Sequence, residues 1–133
     1  MKFSTRTTYG LRAMIRLAES YDQGSLSLQK IAQEEKLPHK YLERLFAQLK
    51  KSGLVKSEKG VMGGYVLIKN PDKINVYEII KALEGTISPF HCINDKGEVH
   101  CSKKCGCEVV SVLAKVQTSI NKTLINIKLS SLI

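Results

Sequence analysis

Cysteine is missing from most of this chain. Residues 1–91 and 108–133 contain none, and all four cysteines of the 133-residue sequence fall between them, at Cys92, Cys101, Cys105 and Cys107. The segment around them is polar and contains glycine, so it has no hydrophobic periodicity that would bury these side chains. The clustering therefore predicts that the four thiols bind something.

Long apolar segments are also missing. No stretch approaches the roughly 18 apolar residues that span a membrane, and the first residues lack the apolar core of a secretory signal. We therefore expect a cytoplasmic protein with no membrane partner. Thiols stay reduced in the cytoplasm, where a cysteine cluster more often serves metal or redox chemistry than disulfide bonding.

The sequence contains no recognisable catalytic arrangement. There is no nucleophile with a base and an orienting group, and there are no paired carboxylates in a recognisable context. The glycine-rich turn of residues 60–64 lacks the strand-to-helix setting of a phosphate-binding loop. We therefore do not expect an enzyme.

Acidic side chains are the minority among the charged residues. Twenty-one Lys and Arg against twelve Asp and Glu give a formal net charge of +9. Residues 36–59 carry seven basic and two acidic side chains, so more than half of the excess lies in that segment. Concentrated positive charge favours a polyanionic partner such as nucleic acid.

Hydrophobic periodicity and capping residues predict the order of the elements. A first helix begins at Ser4 or Thr5, Ser27 caps a second helix, and Pro38 opens a third as a first-turn residue. Two short strands around the glycine-rich turn of residues 59–64 form a β-hairpin. Three helices followed by a hairpin are typical of a winged helix-turn-helix.

The remaining residues predict two further helices. Asn75 caps a fourth helix that ends at Gly85, and the cysteine segment follows as a loop. A long helix from Glu108 to about Asn126 carries apolar residues every three or four positions, a seam suited to packing against a partner helix. We therefore expect a mainly α fold with a small β-hairpin, divided into a winged helix-turn-helix DNA-binding domain (1–85), a cysteine-rich loop (86–107), and a dimerisation helix and tail (108–133).

The third helix has a polar face suited to the major groove. Glu43 could accept from a cytosine amino group, while Arg44 or Gln48 could bond purine edges. The turn glycines beside Lys59 could approach the sugar-phosphate backbone or the minor groove. A solvated helix beside an ordinary hairpin, or a winged helix used away from DNA, are the alternatives. The predicted DNA-binding residues are His39, Lys40, Tyr41, Glu43, Arg44, Gln48, Lys51, Lys59, Gly63 and Gly64.

The four thiols are candidate metal ligands. Thiolates favour iron-sulfur clusters, zinc or copper(I). The spacing C-x8-C-x3-C-x-C lacks the paired C-x2-C knuckles of structural zinc sites, although it does not exclude zinc. A metal-free thiol switch and chemically idle cysteines are the other readings of the same residues.

Four motifs spread over nearly the whole chain indicate a family. They are STRTTY at 4–9 with RAM at 12–14, YLERLF at 41–46, LKKSGLV at 49–55 and GGY at 63–65. Together they resemble the IscR and NsrR class of bacterial winged-helix regulators, the Rrf-two superfamily. The resemblance implies a homodimer whose long C-terminal helices cross, and in which each winged domain reads half of an imperfect palindrome in double-stranded DNA.

The resemblance also implies an iron-sulfur cluster, 2Fe-2S or 4Fe-4S, near the dimer interface. The three usual cysteine ligands correspond by position to Cys92, Cys101 and Cys107. Cys105 is additional, and the gap between the first two cysteines is longer than in the family. The wing also departs from the family, because it reads Lys-Gly-Val-Met at 59–62 in place of an arginine-glycine-proline opening.

The fourth ligand of the cluster varies within the family. It is either a histidine a few residues into the long helix or an acidic side chain near position 8 of the partner subunit. Val110 and Thr8 stand at those positions here, so the resemblance leaves the fourth ligand open. The local candidates are Cys105, His91, His100 and Glu108.

These observations lead to a functional hypothesis. We expect a DNA-binding transcriptional repressor in which assembly, loss or oxidation of a cluster changes the loop of residues 90–106. Through the adjoining dimer helix, that change would alter the spacing of the two recognition helices and hence the affinity for the operator. The alternatives are a regulator that senses zinc or thiol oxidation through the same cysteines, and an interaction module that does not bind DNA.

Overall fold

The computed structural model describes residues 3–60, 63–99 and 108–133, and in them it has five α-helices and one antiparallel two-stranded sheet. The helices are α1 Thr5–Glu19, α2 Leu28–Glu35, α3 His39–Lys51, α4 Val76–Glu84 and α5 Glu108–Asn126, and the strands are β1 Val55–Glu58 and β2 Gly64–Leu67. Single 3-10 turns cover Pro71–Lys73 and Leu129–Leu132. The predicted mainly α fold with a winged helix-turn-helix is confirmed.

The helix starts follow from side-chain caps. Ser4, Ser27 and Asn75 each accept a hydrogen bond from a backbone N–H of the first turn, which satisfies a donor that the helix itself cannot pair. Pro38 differs from the prediction. It lies one residue before α3 as its N-cap, with extended backbone (φ −64°, ψ 124°), and its carbonyl accepts from the N–H of Leu42.

Most of the core lies between α1, α3, α4 and the hairpin. The face of α3 formed by Leu42, Leu45, Phe46 and Leu49 is fully buried, as its spacing predicts. Close packing of α1 on α4 requires glycine at position 10, because a Cβ there would lie 2.2 Å from Leu83 Cδ1. The core therefore fixes α3 by one side and leaves its other side in solvent.

The predicted apolar seam of α5 is divided between two faces. Ile120, Leu124 and Ile127 pack within the chain, against a second buried cluster formed by Val76, Ile80 and Ile87. The exposed face carries Val109, Val112 and Val116. After α5, Leu129 returns to the main core and its N–H donates to the carbonyl of Ile74 at 2.8 Å. The tail is thus packed with the helices of the winged domain.

A carboxylate joins the end of α4 to the start of α1. Glu84 accepts hydrogen bonds from the backbone N–H and hydroxyl of Ser4 and from the hydroxyl of Thr7, and it lies 3.5 Å from a guanidinium nitrogen of Arg6. Burial opposes its ionisation, but the hydrogen bonds from Ser4 and Thr7 and the charge of Arg6 outweigh burial and lower the pKa of Glu84. The ionised form is therefore the one that the fold stabilises.

Replacing this carboxylate should make stability depend less on pH. A lowered pKa in the folded state gives stability that is present above the ordinary glutamate pKa of about 4.3 and lost as the pH falls through the folded-state pKa. We expect Glu84→Gln to lower the free energy of unfolding by about 1–2 kcal/mol at pH 7, and the difference from wild type to shrink below about pH 4. Urea unfolding at several pH values measures both.

Glu58→Gln is the matched control, since Glu58 is an exposed glutamate of β1 that forms no ion pair with any other residue the structure describes. It should leave the pH profile unchanged. A Glu84→Gln variant whose loss of stability is the same at pH 3 and pH 7 would contradict the assignment.

Candidate nucleic-acid interface and cysteine loop

A tight turn connects α2 to α3. Lys36 ends α2 in the left-handed region (φ 55°, ψ 49°), Leu37 is buried, and Pro38 precedes α3. The left-handed residue allows the chain to reverse within three residues, and the buried leucine holds the turn against the core. The result is a helix-turn-helix in which α3 is the outer helix.

The structure brings most of the predicted DNA-binding residues to one exposed side of α3. His39 and Glu43 interact there, with 3.3 Å between Nδ1 and Oε1. Both side chains are about half exposed, so the contact leaves them accessible to a ligand. The six predicted residues on this side are all exposed, namely His39, Lys40, Glu43, Arg44, Gln48 and Lys51.

Tyr41 is placed differently from the rest of the predicted set. It is half-buried, its ring meets that of Tyr9 edge to face with centroids 5.7 Å apart, and its hydroxyl lies 3.2 Å from the hydroxyl of Thr5. Its ring therefore packs α3 on α1, and the hydroxyl end reaches the surface beside the start of α1. No local pattern identifies Thr5 as part of this surface, because the pairing spans 36 positions.

The wing contains the remaining predicted residues. Lys59 is exposed, as is Gly60, and the turn closes through a 2.9 Å hydrogen bond from Gly63 N–H to Gly60 O. Gly64 has a structural reason to be glycine, because a Cβ there would lie 2.5 Å from the carbonyl of Leu26. Positions 61 and 62, which carry the departure from the family wing, lie outside the described residues.

Two contacts join the wing to α3. The rings of Phe46 and Tyr65 lie with centroids 4.9 Å apart, and Lys50 Nζ donates to the hydroxyl of Ser57 at 3.2 Å. Because Phe46 is fully buried, the hairpin is held against the core side of α3. The recognition helix and the wing thus form one surface with a fixed relative position.

Positive charge dominates the surface formed by α3 and the wing. None of its seven cations forms an ion pair with another residue in the described ranges. All seven are exposed: Lys36, Lys40, Arg44, Lys50, Lys51, Lys56 and Lys59. An exposed cluster of unpaired cations has the electrostatic character of a phosphate-binding surface.

The acidic residues of α1 and α2 form ion pairs with two arginines of α1. Arg16 contacts Glu34, Glu19 and Glu35, and Arg12 contacts Glu35 at 3.1 Å. Hydrogen bonds to Glu34 and then Glu19 raise the pKa of Arg16 further above its ordinary value. The acidic residues of α1 and α2 are therefore held by Arg12 and Arg16, and Glu43 is the one acidic side chain within α3.

The structure describes only one of the four cysteines. Cys92 is half-buried and forms no disulfide, whereas Cys101, Cys105, Cys107 and the candidate ligand His100 lie outside the described residues. Within the described ranges, no three His, Cys, Asp or Glu side chains come together as a metal-binding group. Of the other fourth-ligand candidates, His91 and Glu108 are exposed.

The loop that carries Cys92 is held firmly on α4 and α5. Ile87 and Ile93 are buried, Asp95 forms an ion pair with Lys81 of α4, and Asn121 Nδ2 of α5 donates to the carbonyl of Asp95 at 2.8 Å. Sequence reasoning missed Asp95, because nothing local marks an aspartate in a polar loop as buried. The cysteine segment thus begins from a fixed position.

These features define a winged helix-turn-helix protein of the DNA-binding type. Residues 3–133 match the family model described as "Rrf2: Iron-dependent Transcriptional regulator". The chain therefore belongs to the Rrf2 family of transcriptional regulators, as the sequence motifs predict. In the part of the chain that the structure describes, no helix combines the length and apolar character that crossing a bilayer requires.

Individual relatives agree with this assignment. The chain is 48% identical over 96 residues to the transcriptional regulator CymR of Bacillus subtilis, covering 72% of this chain and 70% of CymR. The solved structure of CymR, the global cysteine regulator of B. subtilis, has a TM-score of 0.83 at 36% identity and covers 99% of this chain and 95% of that one. T. potens IscR has a TM-score of 0.79 at 38% identity, covering 99% and 85%.

Proposed function

We propose that the protein is a sequence-specific repressor that binds a palindromic operator as a homodimer in the cytoplasm, where its DNA partner is. The observation that carries this proposal is the exposed, unpaired positive charge of α3 and the wing, held by a rigid core. A repressor of this kind acts by occupying an operator that overlaps a promoter. Its relatives are transcriptional regulators, and the proposed activity requires no catalysis.

The residues of α3 suit different parts of a DNA groove. Arg44 and Gln48 offer donors for purine edges, and Glu43 offers an acceptor for a cytosine amino group. Lys40 and Lys51 stand at the two ends of the exposed side, where cations contact phosphates. The wing, fixed to α3 by Phe46 and Tyr65, would bring Lys59 to the adjacent backbone.

A base-reading arginine should matter more than an equally charged residue elsewhere. We expect Arg44→Ala to weaken binding to the operator by about 1–3 kcal/mol and to relax the preference at one base position, because a bidentate arginine discriminates between bases. The measurement is fluorescence anisotropy against duplexes selected from a randomised pool. Lys122→Ala, an exposed lysine of α5, removes the same charge and should have little effect.

The salt dependence of wild type separates this proposal from the reading as a protein-interaction module. A DNA-binding surface with several phosphate contacts should lose affinity steeply between about 50 and 200 mM salt. A protein that selects no sequence from the pool and prefers no duplex over random DNA does not act as a regulator of this kind.

The exposed apolar face of α5 supports dimerisation. Val109, Val112 and Val116 are 57%, 60% and 37% exposed and recur at helical spacing on one side, while the opposite side packs on α4. An exposed apolar stripe at helical spacing is typical of a helix that pairs with a second helix. Two copies related by a twofold axis would present two recognition surfaces to a palindrome.

A charge in this stripe should separate the subunits. We expect Val112→Lys to convert a dimer into a monomer, as seen by analytical ultracentrifugation, and to weaken binding to the full palindrome more than to a half-site. Ser111→Lys places the same charge on the neighbouring side of the helix, with Lys115 and Lys122, and should leave the dimer intact. A dimer that withstands Val112→Lys would exclude this face as the interface.

We further propose that ligation of the cysteines controls binding to the operator, with an iron-sulfur cluster as the ligated group. The donor chemistry fits, because thiolates are the usual ligands of such clusters. Cys92 is partly exposed and forms no disulfide. Cys92, Cys101 and Cys107 would hold the cluster, with Cys105 as an additional candidate. When bound, the cluster supplies a group whose assembly and oxidation state respond to iron and oxidants.

The protein's own residues convert ligation into a change in DNA affinity. Residues 86–99 leave α4 and the cysteine segment ends at the start of α5, so ligation constrains a loop attached to both helices. The exposed face of α5 pairs the subunits in this proposal. A shift in α5 would therefore alter the separation of the two α3 helices.

A second candidate uses the same cysteines to sense zinc or thiol oxidation. It is supported by Thr8 and Val110, neither of which supplies the fourth ligand expected from the IscR and NsrR class, and by the 48% identity to CymR, described as a cysteine regulator in its B. subtilis structure. In this case the thiols would hold zinc or form reversible disulfides, and the mechanical consequence for α5 would be the same.

Metal content and operator affinity together decide between these candidates. We expect anaerobically reconstituted protein to contain iron with visible absorbance, and its affinity for the operator to differ from that of cluster-free protein by about tenfold. The Cys92, Cys101 and Cys107 triple alanine variant should lose both the bound iron and the difference in operator affinity. Cys105→Ala shows whether the fourth thiol is required. Zinc without iron favours the second candidate, and equal operator affinities in both states would defeat the sensing proposal.

A further inference from the structure

The described part of the cysteine loop has a part-buried polar connection to both neighbouring helices. The side chain of Asp95 is only 8% exposed and accepts from Lys81 Nζ of α4. Its carbonyl accepts from Asn121 Nδ2 at 2.8 Å, and Asn121 Oδ1 in turn accepts from Gln117 Nε2 at 3.0 Å. A single loop residue is thus bound to α4 through its side chain and to α5 through its backbone.

We propose that Lys81, Asp95, Gln117 and Asn121 form a latch that transmits changes in the cysteine loop to α3 through α4, within one subunit. This inference rests on the proposed function, because it requires that ligation of the cysteines changes operator affinity. It adds a second route to the one through the paired α5 helices.

The latch is close to the cysteine that the structure describes. Cys92 is three residues from Asp95, so their Cα atoms lie within about 11 Å of each other. The intervening Ile93 is buried, and Asn94 closes a tight turn by accepting from the N–H of Lys96 at 2.9 Å and of Glu98 at 2.8 Å. Because Ile93 and Asn94 have little conformational freedom, a displacement of Cys92 would also displace Asp95.

The other end of the latch is close to the DNA-binding surface. Lys81 lies in the last turn of α4, and α4 packs directly on α3 and on α1. Ile79 of α4 lies in the same buried cluster as Leu45 and Leu49 of α3. Because close-packed interiors transmit small displacements, a shift of α4 would also displace α3.

The polar groups of the latch favour two discrete states over a gradual change. A buried carboxylate that loses its ammonium partner becomes an uncompensated charge, so partial opening is unfavourable. Gln117 is 1% exposed, and its Oε1 is a buried acceptor with no hydrogen-bond partner among the residues the structure describes. An unsatisfied buried acceptor is energetically unfavourable, so a rearrangement that gives Oε1 a donor would stabilise the network.

The test compares the ligation response of latch variants with that of wild type. Operator affinity is measured for the anaerobically reconstituted protein and for the cluster-free protein, or for the zinc-loaded form if zinc is the metal that binds. We expect a ratio of about tenfold between the two states in wild type. In Asp95→Asn and Lys81→Met the ratio should fall to within about twofold, with operator binding retained in both states.

A second readout is independent of DNA. Hydrogen exchange of the α4 amides should differ between the two states in wild type and not in Asp95→Asn. Lys96→Met is the matched control, since Lys96 is an exposed lysine next to Asp95 that forms no ion pair with another described residue. It removes the same charge as Lys81→Met and should keep the full wild-type response.

The outcomes separate the latch from the sensing proposal. A wild-type response that survives unchanged in Asp95→Asn and Lys81→Met overturns the latch and leaves the sensing proposal standing. A wild type without any response overturns both. If a single variant does not fold, the double variant Lys81→Met with Asp95→Leu replaces the ion pair by apolar groups, and the same criterion applies to it.

Discussion

Burial of one side of α3 is the constraint on which the exposed surface of α3 and the wing depends. Leu42, Leu45, Phe46 and Leu49 are all removed from solvent, and rotating the helix to expose them would cost about 1.5–3 kcal/mol for each large apolar side chain. The opposite side must then face outward. The contact of Phe46 with Tyr65 extends the constraint to the wing, so that recognition helix and hairpin cannot be repositioned independently.

The same arrangement sorts the charges of the chain. Arg12 and Arg16 pair with Glu19, Glu34 and Glu35, whereas the lysines and Arg44 of the α3 and wing surface form no ion pair with any residue in the described ranges. Net charge alone would not define a surface, since +9 spread evenly would give only weak, undirected attraction to phosphates. Because the carboxylates of α1 and α2 are paired and the cations of α3 and the wing are exposed, the modest excess of positive charge produces an electric field on one side of the molecule.

Local signals in the sequence were sufficient for the helices and the hairpin, and for the exposed side of α3 that carries most of the candidate residues. Ser4, Ser27 and Asn75 cap helices as predicted, and the apolar spacing of α3 identified its buried side correctly. What could not be predicted depends on residues far apart in the chain. Glu84 binds Ser4 across 80 positions, and Asp95 is buried only because α4 and α5 both supply partners. Contacts between residues so far apart produce no periodic pattern in the sequence from which they could be predicted.

The two faces of α5 illustrate the same limit and have a functional consequence. A seam of apolar residues every three or four positions predicts a contact without identifying the partner, and here the seam is divided between a packed face and an exposed face. Ile120 and Leu124 hold α5 on α4, whereas Val109 and Val112 remain exposed. The cysteine segment runs from α4 to the start of α5. A loop that connects the helix packed on α3 with the helix available to a second copy is well placed to act on both, because any change in its length or shape must be accommodated at one end or the other.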